Sequence, residues 1–381
     1  MTPAAPRRGK VRDPLGPSRS SPLKVAANWA VTLGIVVLVG MLFIRNAGDL
    51  EAVGHSLAGV SGLAIGVLIA ITAILQLSFA AEYAAALPGL GITRGLVCFE
   101  GQTAVSNLIP GPSGTATRLM VLRSWGFSLD DFTRLWLITS AVTNMLVLCL
   151  PAVSVIFLAI DTHPPEAVVW ALAGVGVLVA LIAAVIVVVA LRSERLAARI
   201  GTISGRAIAW ARGVLHRSAS DEDFAAAMLR LRTGLIEGWH ACGIRVTLSC
   251  LVNYLSQGAL LLISVRAVGI DNDAAALGGV IVVYVMYRLL TIVEITPGGV
   301  GISEAILSGG LLAVMGGQAT PQIAAAIVLF RGLTYAAPIL LGGISLLVWR
   351  FARGWRSEPP AEDAGQAAVV GVLADREPPV G

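Results

Sequence analysis

Glu294-Ile295-Thr296-Pro297-Gly298-Gly299-Val300-Gly301 closes one apolar run and opens another. A proline removes a backbone donor and breaks a helix, and glycine permits turns closed to other residues. Lipid cannot satisfy the backbone groups such a break frees, so it survives only inside protein or beside a water-filled cavity. The same pattern, polar-x-x-Pro-Gly-x-x-Gly, stands 187 residues earlier as Asn107-Leu108-Ile109-Pro110-Gly111-Pro112-Ser113-Gly114. It too lies between apolar segments.

The flanking sequence defines the medium. The 381 residues are 56% hydrophobic and 13% charged, with a mean hydropathy of +0.82. Soluble domains carry about 25% charged residues, so this composition belongs in a bilayer. A helix crossing about 30 Å of hydrocarbon needs roughly 20 apolar residues. On that basis the sequence predicts spans at 26–44, 59–86, 135–160, 168–191, 244–268, 276–295 and 322–349. The stretches 97–121 and 300–316 are short and broken by Gly and Pro, and read as re-entrant or half helices. The expected fold is therefore all-α: a polytopic transmembrane bundle with two Pro-Gly-broken half-helix hairpins.

Basic residues set orientation. They crowd residues 1–24, the segment after 191, and Arg350, Arg353 and Arg356. The loops near Asp49 and Glu51, Asp161, and Asp271 and Asp273 lack such a cluster. Both termini are then cytoplasmic, and the chain approaches its two Pro-Gly breaks from opposite sides. That suggests an inverted pseudo-repeat with a site near the midplane. The first apolar run has no convincing small-x-small cleavage site and reads as a retained span. Residues 1–24 and 351–381 are expected to be disordered tails around a membrane domain at 25–350. Within it, 192–243 mixes apolar residues with arginines and suits amphipathic helices on the inner membrane surface.

Several functions are disfavoured. Lysine occurs only at Lys10 and Lys24 among 27 basic residues, so no GxxxxGK[ST] phosphate loop is available for ATP hydrolysis. The four cysteines and four histidines show no metal-ligand spacing, and neither a metal nor another cofactor is expected. Nothing suggests a nucleic-acid partner. Asp130-Asp131 is read as charge placed at a helix N-terminus rather than as a metal–diphosphate site.

Charge around the breaks points to chemistry. Glu100 and Arg118 flank the first, and Arg288, Glu294 and Glu304 flank the second, with Arg331 inside the last span. A charge at bilayer depth costs at least a few kcal/mol, so it marks a pathway or pairs internally. Helix N-termini after each Pro-Gly turn, together with Arg118, are candidates for holding a lipid phosphate. Glu304 is a candidate for an ammonium group or an arginine. The candidate substrate-binding set is Asn107, Pro110, Gly111, Gly114, Arg118, Arg288, Glu294, Pro297, Gly298, Gly299, Gly301, Glu304 and Arg331, with no catalytic residue.

Pro297-Gly298-Gly299-Val300-Gly301-Ile302-Ser303-Glu304-Ala305 resembles the PGGxGxxEA signature of the lysylphosphatidylglycerol synthase membrane-region family. These are flippase-like domains related to the multiple peptide resistance factor. Asn107 to Arg118, with Gly126-Phe127-Ser128, resembles the family's N-x-x-P-G-x-x-G…R…G-x-S block, and Arg331 fits as well. Here Gly111-Pro112 stands where a Gly-Gly pair is commoner. The resemblance covers roughly residues 25–350. It implies a domain that moves a phospholipid, often aminoacylated or glycosylated, between leaflets of a bacterial plasma membrane. The large soluble domain that transfers lysine in full-length synthases has no counterpart in this sequence, so synthase activity is not expected.

The leading expectation is a non-enzymatic lipid translocator whose partners are membrane phospholipids. The alternatives are a membrane-embedded lipid-modifying transferase, or a scaffold for a separately encoded membrane synthase. Homo-oligomerisation is left open.

Overall fold

The computed structural model describes residues 50–109, 112–159, 167–192, 224–291, 297–316 and 321–357. These residues fold into helices without a sheet. Helix α1 is Leu50–Ala58, α2 Gly62–Ala86, α3 Gly91–Leu108, α4 Ser113–Ser124, α5 Leu129–Ala159 and α6 Ala167–Arg192. Then follow α7 Phe224–Ala267, α8 Leu277–Leu290, α9 Ile302–Val314, α10 Pro321–Arg331 and α11 Ala337–Phe351. The first expected span, the N-terminal tail, most of 351–381 and residues 193–223 lie outside the described residues.

Local sequence explains the boundaries. Ser61 caps α2, its hydroxyl accepting from Ala64 N–H at 3.2 Å, and the helix stops just before Pro88. Ser128 and Asp131 form a reciprocal cap on α5: the Asp131 carboxylate accepts from the Ser128 N–H at 2.9 Å, and Ser128 Oγ accepts from Asp131 N–H at 3.0 Å. One carboxylate of the Asp130-Asp131 pair is thus engaged in capping. The α7–α8 turn is closed by Arg266, whose guanidinium donates to the carbonyls of Ile270, Asp271 and Ala275.

Four stretches have the length and composition to cross a membrane: Gly62–Ala86, Leu129–Ala159, Ile236–Ala267 and Pro321–Phe351. Helix α6 adds 26 residues with no charge before Arg192. Apolar side chains cover the outside as well as filling the core. Leu63 is 81% exposed, Ile244 and Leu255 are 72% exposed, and Leu340 is 70% exposed. Meanwhile Gln76, Glu82, Glu100, Arg118, Asn253 and Gln257 are buried. Apolar side chains on the outside and polar ones within suit a hydrocarbon solvent.

The helices differ from the sequence reading in two places. Helix α7 runs unbroken for 44 residues, so 224–243 continues directly into the span expected at 244–268. Its repeated Ala, Leu and Arg residues sustain helix through the polar–apolar boundary. Helix α8 has only 14 residues, about 21 Å of rise, instead of the span expected at 276–295. The stretch 97–121, expected to be broken, is divided between α3, which ends at Leu108, and α4, which starts at Ser113, and the two pack on each other.

The core assembles around α2 and α3. Helix α2 packs on α7 and α3, while α3 also carries α4 and α11. The α3–α11 contact depends on Gly342. A Cβ there would overlap the Glu100 carbonyl and Ala104, so only glycine permits this approach. Helices α9 and α10 pack together, with α8 against α9.

Candidate functional site

The second Pro-Gly break meets Asn107, the residue that opens the first motif. Pro297–Gly299 form a 3-10 turn leading into α9, with Gly298, Gly299 and Gly301 at φ +57°, +67° and +92°. L-residues rarely adopt these angles, so the glycines are conformationally required. A Cβ on Gly298 would overlap the Tyr335 ring and approach Asn107 Oδ1, the side chain that opens the first break. The Tyr335 hydroxyl in turn donates to the Asn107 carbonyl at 3.1 Å. Tyr335 lies in a π-helical turn, Gly332–Ala336, that interrupts α10 and α11. Such insertions in a helix are frequently found at functional sites.

Beside Asn107 and the Pro297 turn lies a cavity of about 290 Å³. Its walls come from the middle of α2, the end of α3, Gln257 of α7, the end of α8, the Pro297 turn, the start of α9 and the π turn. Phe79 and Phe99 stack at 3.9 Å on one side. Around them stand Gln76, Gln102, Thr103, Ser106, Asn107, Thr291 and Ser303.

Arg288 supplies positive charge. It reaches the cavity from α8, its ring-side face 4.9 Å from the Tyr254 centroid. Among the described residues its Nη atoms make two long hydrogen bonds, 3.3 Å to Tyr254 Oη and 3.4 Å to Gln257 Oε1, and its Nε is buried without a partner. Among the described residues no carboxylate pairs with it. Gln76 leaves both amide atoms unpartnered, and Ser303 its hydroxyl. These orphaned groups face the same hollow.

Arg331 and Glu304 are occupied with each other. Arg331 Nε donates to Glu304 Oε1 at 2.6 Å, and its Nη2 donates to the Gly298 carbonyl at 3.0 Å. The other Glu304 oxygen accepts from the Gly301 N–H, capping α9. This internal carboxylate already serves the helix terminus that the sequence offered to a phosphate. Arg331 still lines the cavity, whereas Glu304 sits behind it.

Arg118 lies elsewhere. It is buried in α4, donates to Tyr83 Oη at 3.0 Å, and sits within 6 Å of the Tyr83 and Phe132 ring centroids. It is absent from the cavity wall. Gly114 also serves packing: a Cβ would overlap Ser106 Oγ, so the start of α4 rests closely on α3. Gly301 shapes the turn, as does Pro297 at its start. Pro110, Gly111 and Glu294 lie outside the described residues.

Of the candidate set, Asn107, Arg288, Gly298, Gly299 and Arg331 share the cavity. The sequence reading did not single out Gln76, Gln257 or Tyr335. The two amides had a signal, being uncharged polar side chains in otherwise apolar spans. Tyr335 had none, because the π turn that aims it is a tertiary feature.

An α-helical bundle with membrane-length apolar helices, an exposed apolar exterior and polar side chains buried within it defines a multi-pass membrane protein. The chain matches the family model described as "Lysylphosphatidylglycerol synthase TM region" over residues 31–342, and it belongs to that family. No curated protein and no solved structure matches it.

Proposed function

We propose that this protein translocates a phospholipid or lipid-linked phosphate between leaflets, guiding the headgroup through the cavity beside Asn107 and the Pro297 turn. The observation that carries this reading is Arg288, a cation at a membrane cavity whose guanidinium is incompletely bonded. Leaflet exchange is slow because a headgroup must shed water to cross hydrocarbon. A guanidinium fork with nearby amides and hydroxyls replaces that hydration. Family membership, which links the chain to phospholipid modification, supports a lipid substrate.

The breaks are read here as two half-helix hairpins of an inverted pseudo-repeat, α3–α4 and the Pro297 turn with α9. Their contact through Asn107, Gly298 and Tyr335 is the joint that must open for a headgroup to pass. Neither break requires a catalytic residue.

The test is reconstitution into phosphatidylcholine vesicles with a tail-labelled anionic phospholipid, following leaflet exchange by chemical quenching of the outer label. Wild-type protein is expected to accelerate exchange over empty vesicles, and Arg288→Gln to cut the gain about tenfold or more, as loss of a charged hydrogen-bond partner implies. Exchange no faster than in empty vesicles would falsify the proposal.

A further inference from the structure

We propose that Glu82 carries a proton across with each lipid phosphate, so that a pH difference drives net translocation. This proposal rests on the translocation reading and adds its energy source.

Glu82 sits near the end of α2, a helix of membrane length, and is 5% exposed. A carboxyl at that depth is costly to keep charged, and marks a pathway or an internal pairing. The Cys250 thiol of α7 donates to it, and Arg118 of α4 is a nearby cation. From Cys250 a run of polar contacts leads to the cavity. Thr143 Oγ1 of α5 lies 3.8 Å from Cys250 Sγ, and the Thr143 carbonyl accepts from Tyr254 Oη at 3.1 Å. Tyr254 Oη accepts in turn from Arg288 Nη2 at 3.3 Å. Tyr254 thus stands between the carboxyl and the cavity guanidinium, within electrostatic reach of both. The other titratable groups around Glu82 are Tyr83, beside it on α2, and Cys98 of α3, which neighbours Tyr83 and Arg118.

This layout links the two charges. With the cavity empty, Arg118 and Arg288 both favour an ionised Glu82. A lipid phosphate on Arg288 offsets one of those cations and adds negative charge to an interior where charges act over long distances. The buried carboxylate then takes up a proton. Linkage is reciprocal, so a proton on Glu82 favours the phosphate to the same degree. The proton comes from water on the side where the lipid enters and returns to water where it leaves. Only the carboxyl O–H bond forms and breaks.

The test uses the vesicle assay with tail-labelled phosphatidylmethanol, whose phosphodiester leaves no other headgroup to titrate. With the lumen one pH unit more acidic than the medium, the label is expected to approach about tenfold in favour of the outer leaflet, the limit for one proton per lipid. Empty vesicles should show far less bias. Glu82→Gln mimics the protonated state permanently. It should still exchange lipid for lipid without a gradient, yet gain no bias from one. Glu100→Gln alters a buried carboxyl of α3 outside this run of contacts, and should keep the bias. A second readout is proton uptake. Adding short-chain phosphatidylmethanol to the purified protein in weakly buffered detergent should draw protons from solution, followed with a pH indicator, and Glu82→Gln should abolish the signal. The two wild-type readouts decide the coupling even if Glu82→Gln does not fold.

If wild type exchanges lipid but gains no bias, proton coupling is wrong while translocation stands. If Glu82→Gln keeps the full bias, the assignment to Glu82 is overturned. If nothing exchanges but lipid still draws in protons, translocation fails and the proton-linked site remains. Neither exchange nor uptake overturns both.

Discussion

The hydroxyl of Tyr335 bonds the carbonyl of Asn107 at 3.1 Å, joining two segments 228 positions apart in the chain. That bond ties the residue that opens the first motif to the π turn whose tyrosine ring packs on Gly298. Because Asn107 ends α3 and Tyr335 sits in the π turn, the contact couples the α3–α4 pair to the final long helix. Tyr335→Phe is expected to cost about 1 kcal/mol in stability, the usual net worth of one hydrogen bond. If the bond holds the cavity shut, the same variant raises leaflet exchange. Thermal unfolding in detergent and the vesicle assay measure the two effects separately, and an unchanged exchange rate removes the gating role.

Gly298 lets Tyr335 and Asn107 approach the second break closely. Its φ of +57° is disfavoured for other residues, and a Cβ would strike the Tyr335 ring. Gly298→Ala should therefore cost about 1–3 kcal/mol from backbone strain, with a further term for displacing the ring. Adding Tyr335→Ala removes the steric part but leaves the strained angle. The double variant is expected to be less destabilised than the sum of the singles. Strict additivity would show that the ring and Gly298 are not in contact.

The membrane class was legible in the sequence, and so was the need to shield each break, for a common physical reason. Bilayer thickness dictates apolar length, and lipid forbids unsatisfied backbone unless something shields it. Gly298 and Asn107 could thus be identified as positions that need protein around them. The division of labour among charges was not legible. Sequence spacing gave Arg118 and Glu304 the same standing as Arg288. Which of them faces a cavity depends on helix rotation and on α4 folding back against α3. Arg118, whose Nε is likewise unpartnered, turned towards Tyr83 and away from the cavity, Glu304 was drawn to Arg331, and Arg288 kept its partly bonded guanidinium at the cavity wall. The amide of Gln76 was overlooked because a single uncharged polar residue barely alters the hydropathy of a span.

Arg118 now has a structural expectation. Its guanidinium lies between Tyr83 and Phe132, away from the cavity. A desolvated cation–aromatic contact contributes about 2 kcal/mol, with its hydrogen bond to Tyr83 adding to this. Arg118→Met should lower the unfolding temperature markedly. Leaflet exchange per folded molecule should stay within about twofold, which is under 0.5 kcal/mol. A large loss of exchange with stability intact would place Arg118 in the transport pathway after all.

The Arg331–Glu304 pair should behave as a lock with a strong coupling energy. Both side chains retain slight exposure, 11% and 17%, so the penalty for breaking the pair should fall somewhat below the about 3–5 kcal/mol of a fully buried one. Arg331→Met leaves Glu304 bonded only to the Gly301 amide. Glu304→Gln leaves Arg331 charged, and the amide substitute can still accept a hydrogen bond. The arginine variant is expected to be the worse of the two. Combining them should recover part of the loss, because the double variant strands no charge. Equal, fully additive losses in thermal unfolding would mean the two residues act independently.

Gly342 and Gly343 provide a paired test of the helix packing. They are neighbours on α11, yet a Cβ at Gly342 would overlap α3 at the Glu100 carbonyl and Ala104, whereas one at Gly343 would meet nothing within 4 Å. Gly342→Val must push α11 away from α3, at a cost of about 1–3 kcal/mol for overpacking, and more if the helices separate. Because α3 carries Asn107 and the helix preceding α11 carries Tyr335, the displacement should also disturb their bond. Gly343→Val adds an apolar group to an open face and should leave both stability and exchange near wild type. Unfolding temperatures of the two variants in the same detergent decide the matter. If they shift alike, the α3–α11 approach described here does not exist in the folded protein.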